Sequence, residues 1–142
     1  MIIEEHIISI GEKRIYGKLY YMENAKNCGL IICSHGFNGS GNDYDSDCRF
    51  YVGNGYAAYA FDFCGGANSS RSSGSTTDMT VFTELDELLE IIRQLRELDM
   101  VDKDRVYLVG ADPFALSAEK LLERISLSKK YLPNVAVITR AF

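Results

Sequence analysis

The sequence lacks a basic excess, a long apolar segment and tryptophan, and the first two absences exclude classes of function. Its 142 residues include 15 Lys and Arg against 20 Asp and Glu, a formal net charge of −5. Proteins that bind the nucleic-acid backbone depend on basic charge. No run approaches the ~20 apolar residues that cross a membrane, and the Glu-rich start is unlike a signal peptide. We therefore expect a cytoplasmic protein with neither a nucleic-acid nor a membrane partner.

The cysteines also lack the spacing of a metal or redox motif. Cys28, Cys33, Cys48 and Cys64 form no CxxC pair and have no histidine at metal-ligand spacing. With 46% hydrophobic and 25% charged residues, the chain has the composition of a globular protein with a real core. Such a protein has little need of disulfides. We predict reduced cysteines that pack in the core, with no metal and no cofactor.

What the sequence does contain is an alternation of apolar strands and helices. At 15.9 kDa there is room for one domain over residues 1–142. The pattern predicts a β-hairpin, then strands that alternate with helices, and hence a mostly parallel sheet covered on both faces, a three-layer α/β/α sandwich. The predicted hairpin covers 2–10 and 13–22, the strands 30–35, 56–63, 105–110 and 134–139, and the helices 43–53, 80–98 and a stretch that starts at Asp112-Pro113.

Three predicted loops follow the carboxyl ends of these strands, at 36–42, 64–79 and 110–114. In open parallel sheets the chemistry gathers in loops at this edge. The second loop is long and rich in Gly, Ser and Thr, and loops of this length in a compact domain are often functional. The sequence therefore directs the search for a site to these three segments.

The three loops carry short motifs in a recognisable order. They read His35-Gly36-Phe37-Asn38-Gly39, Asp62-Phe63-Cys64-Gly65-Gly66 and Leu108-Val109-Gly110-Ala111-Asp112. With the opening hairpin, they resemble the front part of an α/β-hydrolase and are most similar to bacterial serine esterases of the feruloyl and cinnamoyl esterase group. The stretch from Phe61 to Gly66, followed by the segment from Ser72 to Glu84, adds a more specific likeness to the same group.

The resemblance implies an oxyanion hole and hydrolysis of carboxylic esters through a serine acyl-enzyme. It assigns the backbone N–H of Phe37 as one oxyanion donor, in a loop shaped by His35 and Gly36. The second donor in the family is the amide that follows the nucleophile in the G-x-S-x-G turn. Removing one such donor raises the barrier by ~2.7–4 kcal/mol.

The sequence departs from the family at that turn, which reads Gly110-Ala111-Asp112-Pro113-Phe114. Asp112 occupies the nucleophile position and has no hydroxyl for acyl transfer. Pro113 has no N–H and removes the second oxyanion donor. Phe114 replaces a glycine that allows close approach of helix and strand. One interpretation makes Asp112 a nucleophile, as in haloalkane dehalogenases and epoxide hydrolases; the favoured one makes it the N-cap of the helix that begins at Pro113.

Neither histidine of the sequence has the position of a catalytic histidine in this family. Only His6, predicted at the surface of the hairpin, and His35 are present, and neither follows the nucleophile turn. The chain ends after its last predicted strand, before the segments that bring the acid and the catalytic histidine in the family. We therefore expect a truncated α/β-hydrolase fold related to acyl or feruloyl esterases, catalytically impaired, whether it is a truncated or frameshifted gene product or a genuine noncatalytic protein.

The alternative is a noncatalytic protein that binds a small ester or acyl ligand, or a partner, on a hydrolase scaffold. An exposed sheet edge also predicts homo-oligomers, because unpaired strand edges invite association. For Asp62 and for the acidic residues of the second predicted helix we expect structural roles. Asp62 organises the loop that follows it by accepting backbone hydrogen bonds, and the acidic residues Glu84, Asp86, Glu87 and Glu90 form a solvated helix face.

Overall fold

The computed structural model describes residues 1–34, 41–62, 72, 81–110 and 135–139, with backbone only at 81–85 and 135–139. The strands are β1 (Ile2–Glu5), β2 (Ile8–Ile10), β3 (Lys13–Ile15), β4 (Gly17–Tyr21), β5 (Cys28–Ser34), β6 (Ala57–Phe61), β7 (Val101–Gly110) and β8 (Val135–Thr139). The helices are α1 (Asp45–Gly53), preceded by a 3-10 turn at Gly41–Tyr44, and α2 (Val81–Leu95). The predicted strands and the first two helices are confirmed.

The main sheet has six strands in the order β1-β4-β6-β5-β7-β8. β5 pairs in parallel with both β6 and β7, and β7 pairs in parallel with β8. The first two strands of the order are antiparallel to their neighbours. This is the predicted α/β class, with a mostly parallel sheet and an antiparallel start.

The predicted hairpin forms, but it breaks in the middle. Its outer halves, β1 and β4, join the main sheet, whereas β2 and β3 form a separate two-stranded sheet. Gly11 closes the turn at φ 58°, a left-handed conformation that favours glycine. His6 lies at the break, and its ring meets Tyr59 edge-on with centroids 6.0 Å apart. Its side chain is half-buried, so it reaches the surface as predicted, but part of it packs against Tyr59.

Both faces of the sheet carry buried apolar side chains. Successive residues of each strand point to opposite faces, and each face has its own buried cluster. One face packs against α2 and the small hairpin, and the other against α1. The first set includes Leu30, Ile32, Tyr59, Phe61 and Leu108, and the second includes Ile31, Cys33, Ala58, Ala60 and Val109. Continuous apolar strands are what a sheet covered on both sides requires.

Helix α2 covers one face with its predicted apolar stripe. Leu88, Ile92 and Leu95 are fully buried, and the Gln94 side-chain amide donates to the Ser9 carbonyl of the small hairpin at 3.0 Å. Glu87 is only 1% exposed, so the acidic residues do not all lie on a solvated face as predicted. The helix packs against the hairpin as well as the sheet, which buries a second strip of its surface.

The described cysteines bear on the prediction that the cysteines are reduced. Cys28, Cys33 and Cys48 carry free thiols, as predicted. The helix predicted from Asp112-Pro113 lies outside the described residues. Across the described ranges, no helix is long and apolar enough to cross a membrane.

Candidate functional site

The three predicted loops leave the main sheet side by side. Ser34, the last residue of β5, pairs in register with Phe61 at the end of β6 and with Gly110 at the end of β7. The connections that follow these strands therefore start at one edge, at neighbouring positions. This is the edge at which ligands bind in open α/β sheets.

The residues assigned to catalysis by the family resemblance are not described themselves. His35, Gly36 and Phe37 of the first connection, and Asp112 of the third, lie outside the described residues. What the structure describes is the frame around them. We call this frame the loop anchor and define it by Ser34, Gly41, Tyr44, Asp62 and Ser72.

Asp62 is the centre of the loop anchor. It is fully buried directly after β6, and its Oδ1 accepts a hydrogen bond from the backbone N–H of Gly41 at 2.8 Å. Hydrogen bonds to a carboxylate are among the stronger ones in proteins. Asp62 thus accepts a backbone hydrogen bond, as predicted, and this one comes from the residue at the start of the 3-10 turn. Apart from Ser72, the loop that follows Asp62 lies outside the described residues.

The position of Gly41 also requires a residue without a side chain. A Cβ at residue 41 would lie 2.9 Å from the Phe61 nitrogen and 3.0 Å from the Ala60 carbonyl carbon. These are backbone atoms of β6, which cannot move aside as a flexible side chain could. The two residues that flank the segment 35–40 are therefore held in place, Ser34 as part of β5 and Gly41 by its close contact with β6.

Tyr44 holds the residue that precedes this connection by a hydrogen bond. Its side chain is buried, and its hydroxyl donates to the carbonyl of Ser34 at 3.0 Å. That carbonyl belongs to the last residue before the connection, so both of its ends have a side-chain partner. The Ser34 hydroxyl is itself buried and has no hydrogen-bond partner in the described part of the chain.

Ser72 anchors the second predicted loop at one point. Its hydroxyl donates to the backbone carbonyl of Asp62 at 2.5 Å and accepts from the backbone N–H of Tyr16 at 2.8 Å. The Asp62 N–H in turn donates to the Tyr16 carbonyl at 2.9 Å. Ser72 therefore joins the end of β6 to the residue between β3 and β4 through one hydroxyl.

The charge of Asp62 also acts on its surroundings. Burial raises the pKa of Tyr59, and the nearby Asp62 carboxylate raises it further, so this phenol stays protonated. Its hydroxyl donates to the His6 carbonyl at 2.8 Å. No group of three or more metal-ligating side chains occurs among the residues that the structure describes.

The loop anchor is suited to hold backbone N–H groups in fixed positions beside the ends of β5, β6 and β7. Fixed amide donors stabilise negative charge that develops on a bound oxygen without reorganising. Sequence reasoning found Asp62 but missed Gly41, Tyr44 and Ser72. Ser72 is one of several serines between 69 and 75, and nothing in the sequence separates it from the others.

Comparison with known proteins places this frame in a known fold. The chain resembles Est1E from Butyrivibrio proteoclasticus, solved with ferulic acid bound, at 22% identity and TM-score 0.74, covering 89% of this chain and 49% of that one. It resembles the thioesterase domain from the curacin biosynthetic pathway at 19% identity and TM-score 0.71, covering 98% and 46%. A Vigna radiata epoxide hydrolase mutant matches at 18% identity and TM-score 0.71, covering 96% and 38%.

These likenesses show the α/β-hydrolase fold, as the sequence predicted. The chain spans less than half the length of the solved structures it matches. No protein-family model matches it. No curated protein matches it either.

Proposed function

We propose that the chain derives from carboxylic ester hydrolases of the acyl or feruloyl esterase type. The observation that carries the proposal is the hydrogen bond from Gly41 to buried Asp62, which holds the first described residue after the segment that contains Phe37 beside the end of β6. The backbone N–H of Phe37 is the proposed oxyanion donor, with His35 and Gly36 shaping the loop. The fold shared with Est1E and the curacin thioesterase domain supports it.

On the same proposal, the 142-residue chain hydrolyses esters poorly. The turn after β7 carries Asp112 where the family has its serine, so no hydroxyl is available to form an acyl-enzyme. Pro113 follows and offers no N–H as the second oxyanion donor. One donor without a nucleophile leaves the scaffold able to polarise a carbonyl but unable to attack it.

The second candidate function is binding without catalysis. It is favoured by the contrast between the intact loop anchor, with Asp62, Gly41 and Ser72 all engaged, and a nucleophile turn that has lost its serine. The proposed ligand is a small ester or acyl compound at the carboxyl edge of the sheet.

The proposed location is the cytoplasm, where free thiols such as that of Cys28 persist.

Turnover of p-nitrophenyl acetate tests the first proposal. We expect no saturable hydrolysis above the rate of an equal concentration of heat-denatured protein, because general surface nucleophiles give only a linear, unsaturable background. Saturable turnover that disappears in Asp112→Ala would contradict the proposal and would make Asp112 a nucleophile.

A thermal-shift series with hydroxycinnamate esters and short acyl esters tests the binding candidate. A ligand that binds only the folded chain raises the midpoint in proportion to the logarithm of its concentration. The matched control is Asp62→Ala, which should abolish the shift if the loop anchor holds the ligand-binding loop. If no ester raises the midpoint of the wild-type chain, the binding candidate fails.

A further inference from the structure

Two cysteine side chains touch beneath the loop anchor. Cys33 lies in β5 and Cys48 in α1, both are fully buried, and their sulfur atoms are 3.8 Å apart. A disulfide bond has a sulfur–sulfur distance of about 2.05 Å, so the two atoms need to approach by about 1.8 Å to bond. They are the only two described cysteines in contact with each other, since Cys28 lies at the opposite end of β5.

The helix that carries Cys48 is short and has little intrinsic helix-forming tendency. Its sequence, DSDCRFYVG, contains one strong helix former, Arg49. The residue that precedes it, Tyr44, makes no side-chain capping hydrogen bond, and only Cys48 and Val52 of its nine residues are buried. Segments with few buried contacts open locally at a small fraction of the free energy of global unfolding. We therefore expect α1 to open more often than the sheet it covers.

Closed, the pair is protected. The hydrogen bond that joins the two thiols raises the pKa of Cys33, and burial raises it further, so little thiolate exists in the folded state. Opening of α1 exposes Cys48 to solvent and removes that protection. Reactivity of the pair is thus tied to the opening of one short helix.

We propose that Cys33 and Cys48 form a reversible disulfide under oxidising conditions and that this bond locks α1 onto β5. In the opened state the Cys48 thiolate, its proton lost to water, attacks one sulfur of a low-molecular-weight disulfide and expels one thiolate. The Cys33 thiol, uncovered by the same opening, loses its proton to water, and its thiolate attacks the Cys48 sulfur and expels the second small thiolate. The small disulfide gains two electrons and takes up two protons, becoming two thiols, and the protein loses one hydrogen from each cysteine.

The consequence is local and independent of the ester-hydrolase proposal. The new bond closes the segment between residues 33 and 48, which contains the whole connection from β5 to α1. Closing a loop of about 15 residues is expected to stabilise the closed state by a factor of about a hundred or more. Oxidation should therefore hold α1 and Tyr44 in place without altering the sheet.

Peptide mapping after exposure of the native chain to oxidised glutathione tests the proposal. We expect a peptide that links Cys33 to Cys48, an intact mass lower by two hydrogens, and full reversal by dithiothreitol. Amide hydrogen exchange across α1 should slow by about a hundredfold in the oxidised form, the factor given by loop closure. Exchange in β6 should not change.

Variants separate this inference from a chance oxidation. Cys28→Ser should leave the crosslink unchanged, whereas Val52→Ala, which loosens α1, should speed its formation because opening limits the reaction. The proposal is overturned if Cys33 and Cys48 remain thiols while Cys28 is glutathionylated, if the link joins other cysteines, or if α1 exchanges equally fast in both forms. The wild-type mapping decides even where a variant fails to fold.

Discussion

At the scale of single residues, the site depends on groups that hold backbone in place. Asp62 is buried and meets Gly41 through a hydrogen bond, while Ser72 bridges two strand ends with one hydroxyl. None of these contacts supplies chemistry by itself. Each fixes where a connection begins or ends, and a fixed connection is the condition for amide donors that act without rearrangement.

Gly41→Ala should destabilise the protein because the added methyl group would lie 2.9 Å from the Phe61 nitrogen. Overpacking of this kind typically lowers the free energy of unfolding by about 1–3 kcal/mol. Gly53→Ala is the matched control, since nothing lies within 4 Å of its Cβ position. Urea unfolding of both variants measures the difference, and equal midpoints would show that the close approach to β6 is not needed.

Asp62→Ala should leave the buried Gly41 N–H without its carboxylate partner. An unsatisfied buried group lowers the free energy of unfolding by about 1–3 kcal/mol. Asp62→Asn keeps an Oδ1 acceptor for the same N–H and should lose less. If the asparagine variant is as unstable as the alanine variant in urea unfolding, the charge and not the hydrogen bond to Gly41 is what matters.

At the scale of elements, α1 is joined to β4 by a small polar network at the surface. The Tyr20 hydroxyl donates to Asp45 at 2.8 Å, and Arg49 forms an ion pair with the other carboxylate oxygen at 2.8 Å. The hydrogen bond from Arg49, followed by that from Tyr20, lowers the pKa of Asp45 below its usual 3.8. A lowered pKa in the folded state means that the ionised carboxylate stabilises the fold.

The sign of the pH dependence follows from that shift. Above pH 3.8 the stabilisation is fully present, and it is lost as the pH falls through the lower pKa of the folded state. Because Asp45 is partly exposed, the contribution is small, about 0.2–1 kcal/mol. Asp45→Asn should therefore be less stable than wild type near neutral pH and equal to it well below pH 3.8. A difference in unfolding free energy that persists at low pH would contradict this assignment.

The elements also show how far the sequence can predict the fold. Periodicity located every described strand and both described helices, because burial on two faces leaves a strong apolar signal in β5, β6 and β7. It did not show that the opening hairpin divides at His6, where the chain contacts Tyr59, a residue 53 positions later. It also missed the burial of Glu87, because α2 packs against the small hairpin as well as the sheet.

The candidate site was predictable only in outline. The order of the motifs gave the edge of the sheet and singled out Asp62, whose partner Gly41 lies 21 residues away in sequence. Partners at that separation are fixed by strand register, which a single sequence does not reveal. Ser72 contacts Tyr16 across 56 residues, and neither residue stands out from its neighbours.

At the scale of the whole molecule, the described sheet has β8 at one edge. A strand edge presents unpaired N–H and carbonyl groups that can pair with another chain. We expect the 142-residue chain to form homo-oligomers, seen by light scattering as a mass above 15.9 kDa that falls on dilution. A monodisperse monomer at all concentrations would contradict this expectation.

The central claim is that the chain keeps the frame of a hydrolase site but has no activated serine. Reaction with a fluorophosphonate, followed by intact mass spectrometry, tests it most directly, because this reagent phosphonylates serines that a general base activates. The account predicts an unchanged mass for the native 142-residue chain, with a competent serine esterase labelled in parallel. A stoichiometric adduct on any serine of the native chain, absent after denaturation, would contradict the account.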